Sequence, residues 1–244
     1  MMKIIELLKL QNRAHRYKTK YDRGGIGFLL QSVGTGDTVL DIGAHKGGYL
    51  YFFRKQIGES GKIYAFEPQE NLFQYLKYIV TLLGWSNITV ENIALSDNQG
   101  ETTLYIPNNK IKEGSSPGAT IVEHPERLDF VKTQSISTDT LDSYCEKNSI
   151  KPVFLKIDVE GNELQIFKGG LKILQKCKPK ILVEIEKRHV GKQKAKETLD
   201  FLCSLGYNGY FIHGAKNKPL EEFDFEKYQN PEDAENYCNN FIFL

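Results

Sequence analysis

The run Val39-Leu40-Asp41-Ile42-Gly43-Ala44-His45-Lys46-Gly47-Gly48 places an acid at the end of a β-rich stretch and follows it with glycines. Such a turn lets backbone amides approach a ligand closely. At the carboxyl edge of the first strand of a doubly wound sheet, it is where cofactors bind. The glycines at Gly43, Gly47 and Gly48 do not follow the G-x-G-x-x-G spacing that admits a pyrophosphate. A carboxylate at Asp41 would also repel a diphosphate, whereas it attracts an ammonium or orders water around one. A second acid follows in Phe66-Glu67-Pro68, and at that edge it can accept hydrogen bonds from both hydroxyls of a ribose.

A nucleoside that carries a cation satisfies both acids, and S-adenosyl-L-methionine, with its ammonium and sulfonium, is one. Further along, Asp158 and Glu160 close an apolar run. If the extended conformation persisted that far, side-chain alternation would aim them the same way, to hold a divalent cation or set one carboxyl up as a base. The alternative has Asp158 capping the next helix and Glu160 opposing its dipole. Lys156 is placed to neutralise Asp158. Glu184, Glu186 and His189 end the following strand on the same edge, and any of them is a further candidate base. His45 is expected to face solvent or cap a helix, with a position in the ligand pocket as the alternative.

These residues need a scaffold, and from Thr38 onward short β-rich runs alternate with helical stretches, the pattern of a Rossmann-like α/β fold with a mainly parallel sheet covered on both faces. The spacing predicts strands at 38–42, 62–66, 88–95, 101–106, 133–137, 153–157, 180–185, 207–213 and 241–244, of which seven form the core sheet. It predicts helices at 47–57, 71–83, 140–147, 163–175 and 194–205. Residues 1–36 read as an amphipathic and basic extension, and 37–244 as the catalytic domain. Residues 107–132 read as a substrate loop, with Ser115, Ser116, Thr120, His124 and Arg127 as polar candidates for acceptor contact.

Composition narrows the class. With 32 Lys and Arg against 31 Asp and Glu, the formal net charge of +1 provides no global pull toward nucleic acid. The four cysteines are too widely spaced for a zinc or redox motif, and no apolar run approaches the ~20 residues of a membrane span. Lys3, Glu6 and Lys9 interrupt the apolar start before a signal-peptide core can form, so a cytoplasmic protein is expected. The basic segment from Arg13 to Arg23 reads as a solvated helix face, with a membrane surface or an anionic substrate as alternative partners.

From about Asp37 to His189 the chain resembles the FkbM family of S-adenosylmethionine-dependent methyltransferases. The marks are Asp41-Ile42-Gly43-Ala44, Phe66-Glu67-Pro68, Ala94-Leu95-Ser96-Asp97, Ser137-Thr138-Asp139-Thr140-Leu141-Asp142 and, most specifically, Leu155-Lys156-Ile157-Asp158-Val159-Glu160-Gly161-Asn162-Glu163. The resemblance implies a methyltransferase fold and O-methylation of a small-molecule acceptor, often a sugar or another secondary-metabolite hydroxyl. By position it implies that Asp41, Gly43 and Gly47 hold the methionine part, with Ala44 and Asp158 beside them. Glu67 would hold the ribose, with Pro68 also in the cofactor site, and Asn92, Ala94, Ser96 or Asp97 the adenine edge. The competing classes are a nicotinamide-dependent oxidoreductase or epimerase, which the glycine spacing disfavours, and a non-catalytic binding protein on the same fold.

Overall fold

The computed structural model describes residues 2–107, 118–122, 131–214 and 216–244. Helix α1 (Met2–Arg16), a π-helical turn (Tyr17–Tyr21) and α2 (Arg23–Ser32) lead into β1 (Thr38–Ile42), α3 (Gly48–Ile57), β2 (Lys62–Phe66), α4 (Glu70–Leu83) and β3 (Ile88–Glu91). There follow β4 (Ile93–Ser96), β5 (Gly100–Pro107), β6 (Val131–Thr140), α5 (Leu141–Lys147), β7 (Phe154–Ile157), α6 (Glu163–Lys168) and α7 (Leu171–Cys177). The chain closes with β8 (Lys180–Glu184), α8 (Lys187–Ser204), β9 (Gly209–His213), β10 (Lys216–Pro219), α9 (Phe225–Tyr228) and β11 (Asn240–Phe243).

The central sheet has eight strands in the order β10-β9-β11-β8-β7-β1-β2-β3, and β4-β6-β5 form a second, three-stranded sheet. Strands β3, β2, β1, β7 and β8 are parallel, while β11 runs antiparallel between β8 and β9. The chain builds outward from β1 to β3, then returns to β7 on the other side of β1. That reversal opens a crevice at the carboxyl ends of β1 and β7, the place where open α/β sheets bind ligands.

Alternation along the strands sorts the core into two layers. Leu40, Ile42, Leu155 and Ile157 face the side covered by α5, α6, α7 and α8, whereas Val39 and Phe154 face α2 and α3. The amino-terminal helices belong to that second layer. Ala14, Ile26 and Leu29 are buried there, and the Phe28 ring lies 5.5 Å from that of Phe154. On α1 the opposite side, with Ile4, Ile5 and Leu8, is exposed. Among the described residues no helix is long and apolar enough to cross a membrane.

The architecture is the expected doubly wound one, but the strand count differs from seven. The stretch expected as a single strand over 88–95 breaks at Asn92, whose side-chain amide donates to the carbonyls of Glu67 and Pro68 at 3.0 and 3.1 Å. Residues on either side of Asn92 therefore enter different sheets. The helix expected over 163–175 breaks at Gly169-Gly170, and the one expected from 194 begins at Lys187, with a kink at Gly191. Strand β10 is polar and had no expected counterpart.

The break after α6 has a steric cause. A methyl group on Gly169 would stand 2.1 Å from the Ser96 carbonyl oxygen, so α6 can lie against the end of β4 only because that side chain is absent. Gly169→Ala is expected to cost about 2 kcal/mol or more in urea unfolding. Gly27→Ala, in α2, meets no atom within 4 Å and should instead add roughly 0.5–1 kcal/mol. Equal effects at the two positions would contradict this packing.

Candidate active site

Asp41 on β1 and Lys156 on β7 are register partners on adjacent parallel strands, so their side chains rise from the same face. Asp41 is 1% exposed, and among the described residues neither carboxylate oxygen has a hydrogen-bond partner. Burial pushes its pKa up to about 6, with Lys156 holding it from going higher. Lys156 places Nζ 3.0 Å from Asp158 Oδ2 and 5.1 Å from the centroid of the Tyr49 ring. Burial opposes the lysine charge, yet Asp158 and Asp41 together raise its pKa above the ordinary lysine range, and it stays an ammonium. That ammonium is committed to Asp158. Asp41 is left as a buried acceptor without a direct partner among the described residues.

The glycine turn is fixed from both sides. Gly43 has φ +84°, and a methyl group there would stand 1.8 Å from the Asp158 carbonyl oxygen, so glycine alone lets β1 and β7 close together at this level. The amides of Gly43 and Ala44 both donate to the Phe66 carbonyl at 3.0 Å. Glu67 completes the clamp: Oε2 accepts from the His45 amide at 2.7 Å and Oε1 from the Gln69 amide at 2.9 Å. Burial lifts the Glu67 pKa to about 7 against the pull of those two amides. Each of its oxygens keeps capacity for one more donor.

His45 corrects the expectation of a solvent-facing or capping side chain. Gly47 occupies the amino-terminal cap of α3, and His45, at φ +48°, lines the cavity with Nε2 buried and without a partner among the described residues. Burial, reinforced by Lys46, lowers its pKa to about 4, so the ring is neutral.

Asp158 and Glu160 do not share a direction. Strand β7 ends at Ile157, and Glu160 adopts φ +59° before Gly161 at φ +111°. Neither does Asp158 cap a helix, since Asn162 holds that position ahead of α6 and spends its side-chain amide on the Leu95 carbonyl at 3.0 Å. Glu160 Oε2 instead lies 2.8 Å from Nε2 of the buried His189, and the Thr120 hydroxyl donates to the Glu160 carbonyl at 2.8 Å. Glu184 is kept protonated by burial, by the Asp158 charge and by its hydrogen bond to Glu186. Burial opposes the charge of Glu186 as well, but bonds from Glu184, Tyr237 and Asn239, together with Arg188, hold its pKa below the usual range. The carboxylates of this edge are therefore in distinct states: Asp158 paired with a lysine, Glu160 with a histidine, Glu184 neutral.

One cavity collects Asp41, Gly43, Ala44, His45, Glu67, Pro68, Ala94, Asp158, Glu160 and Glu184, and Thr120 from the expected substrate loop. Gly47, Ser96, Asp97 and His189 are not in its lining. Ser96 is buried beneath α6, Asp97 is exposed, and His189 stands behind Glu160. Asn92 braces the turn after Glu67 instead of lining the cavity. Ser115, Ser116, His124 and Arg127 lie outside the described residues. Ile93, Leu95, Leu104 and Ile121 form an apolar wall suited to a flat aromatic base. Tyr17 and Tyr49 also line the cavity, and no motif marked either of them. Among the described residues no three His, Cys, Asp or Glu side chains converge as metal ligands, so a divalent cation has no ready cage there.

The family model of the methyltransferase FkbM domain matches residues 41–208. A methyltransferase FkbM from Methylobacillus flagellatus has a similar structure, with a TM-score of 0.55 at 14% identity over 99% of this chain and 59% of that one. An O-methyltransferase from Bacillus cereus, solved with SAH, gives a TM-score of 0.49 at 12% identity over 100% and 90% of the respective chains. A SAM-dependent O-methyltransferase from Thermotoga maritima gives 0.47 at 13% identity over 91% and 65%. The chain thus spans 59% of the Methylobacillus protein and 65% of the Thermotoga one. No curated protein matches it.

The state of Asp41 has a measurable consequence. Because its folded pKa lies near 6, above the unfolded value, the ionised group destabilises the ligand-free protein at neutral pH, and the cost fades as pH falls from about 6 to about 4. Asp41→Asn should stabilise the ligand-free protein at pH 8 by about 2 kcal/mol, raising Tm, and the gain should shrink at pH 4. A lower Tm for the variant at pH 8 would show that the carboxylate is satisfied by the protein.

Proposed function

The chain belongs to the methyltransferase FkbM family, and from that premise we propose that it transfers a methyl group from S-adenosyl-L-methionine to a hydroxyl of a small molecule, a sugar or another secondary metabolite. The observation that carries the donor assignment is the buried carboxylate of Asp41, which has no hydrogen-bond partner among the described residues. It faces a ligand cavity, and the nearby ammonium of Lys156 is held by Asp158. A cationic ligand group satisfies it where a diphosphate would not.

Asp41 receives the α-ammonium, Glu67 accepts from the ribose hydroxyls with its remaining lone pairs, and the wall of Ile93, Leu95, Leu104 and Ile121 takes the base. When bound, the donor supplies an activated methyl group for in-line displacement. The protein's part is to orient the acceptor oxygen and to move one proton. Glu160 is the base, taking the acceptor hydroxyl proton while His189 holds Oε2 in place. Thr120, from the loop segment, fixes the Glu160 backbone. Glu184, half-buried and with its pKa raised, can donate to an acceptor oxygen. Four unpaired cysteines accord with a cytoplasmic setting.

Incubation with methyl-labelled donor and a panel of hydroxylated acceptors should give S-adenosylhomocysteine and a methyl ether. Glu160→Gln should lower kcat by about 10²–10⁴ with little change in S-adenosylhomocysteine binding. Label found on nitrogen, or full activity of the variant, would overturn the assignment.

A further inference from the structure

The amino-terminal segment lies outside the matched family domain, yet it forms part of the cavity wall. The π-helical turn between α1 and α2 carries Tyr17 into the cavity lining, a kind of distortion that recurs at functional positions. Three contacts fasten the segment to the glycine turn and α3. Arg13 Nη1 donates to the Lys46 carbonyl. The Tyr49 hydroxyl donates to Asp22 Oδ2, while Asp22 Oδ1 accepts from the Gly25 amide at 2.8 Å. The Tyr17 ring lies so close to Gly48 that a methyl group there would stand 2.7 Å from a ring carbon, and it meets the Tyr49 ring edge-on at 6.1 Å.

While the ring is locked, the hydroxyl has no hydrogen-bond partner among the described residues. The ring meets that of Tyr49, and the Lys156 ammonium lies 5.1 Å from the Tyr49 centroid, which places Tyr17 at the end of the cavity where Lys156 and its register partner Asp41 stand. An amino acid carries its ammonium and carboxylate on one carbon. If Asp41 takes the ammonium, the carboxylate comes to rest beside it and needs donors. Lys156 is occupied by Asp158, and His45, being neutral, brings no charge and one N–H at most. The Tyr17 hydroxyl is a side-chain donor left over at that end. Burial holds its pKa above the usual tyrosine range, so it keeps its proton.

Resting on the methyl-donor reading above, we propose that Tyr17 donates its hydroxyl to the α-carboxylate of the donor, so that the amino-terminal segment completes the donor site. Calorimetric titration with S-adenosylhomocysteine and with 5′-methylthioadenosine, which lacks the amino-acid end, tests this on the full chain. Tyr17→Phe keeps the packing on Gly48 and Tyr49, and Lys18→Ala, at an exposed neighbouring position, serves as a control. Loss of a hydrogen bond to a charged group should weaken S-adenosylhomocysteine binding about tenfold or more in Tyr17→Phe, with 5′-methylthioadenosine and the control unchanged. Wild-type binding of S-adenosylhomocysteine with no loss in Tyr17→Phe, or equal losses for both ligands, would overturn this inference alone. Failure of the wild type to bind either compound would overturn the donor reading and this inference with it.

Discussion

A carboxylate buried without a partner is among the costlier things a fold can hold, and Asp41 sits in that condition at the reversal point of the sheet. Much of the surrounding structure maintains it. Gly43 lets the Asp158 backbone close against the end of β1, and the Asp158 side chain occupies the Lys156 ammonium that would otherwise close on Asp41. Glu67 staples the following turn through two backbone amides, so the turn cannot fold inward and supply the missing donors. The price in stability is recovered when a cationic ligand arrives, which is how a site becomes selective for charge without having to rearrange.

The same economy of partners separates the acids on the opposite side. Close carboxylates would repel one another if all were ionised. Here Lys156 answers Asp158, His189 stands against Glu160, and a shared hydrogen bond leaves the proton on Glu184 and the charge on Glu186. Each acid in the cavity consequently has a different capability. The left-handed backbone at Glu160 and Gly161 is what turns Glu160 away from Asp158 and toward α8, and Thr120 fastens that turn from the loop side.

Strands β1 and β2 were readable to the residue because buried apolar runs bounded by glycine turns have little alternative, and Asp41 and Glu67 were identifiable from their place at the strand ends. The break at Asn92 was not readable. It depends on that side chain finding the carbonyls of Glu67 and Pro68, a contact between segments distant in sequence. Ser96 and Asp97 fall outside the cavity because Ser96, at the end of β4, is packed against Gly169 and Asp97 beyond it is exposed. The paired glycines at 169 and 170 were a visible signal for the split helix, overridden by the apolar period on either side. His45 was misplaced because its left-handed backbone aims the ring inward, which residue type alone does not disclose. Tyr17 carried no signal: only packing brings the amino-terminal segment across Gly48.

Proton linkage in binding tests the role of Asp41 most directly. S-adenosyl-L-methionine titrated into the protein at pH 6, in buffers of different ionisation enthalpy, reports protons released on binding. With a free-protein pKa of about 6 for Asp41, pairing with the ligand's cation should release roughly half a proton at that pH, and Asp41→Asn should abolish this contribution. Tight binding with the same proton release in wild type and variant would contradict the account, because the buried carboxylate would then not be what the ligand's charge answers.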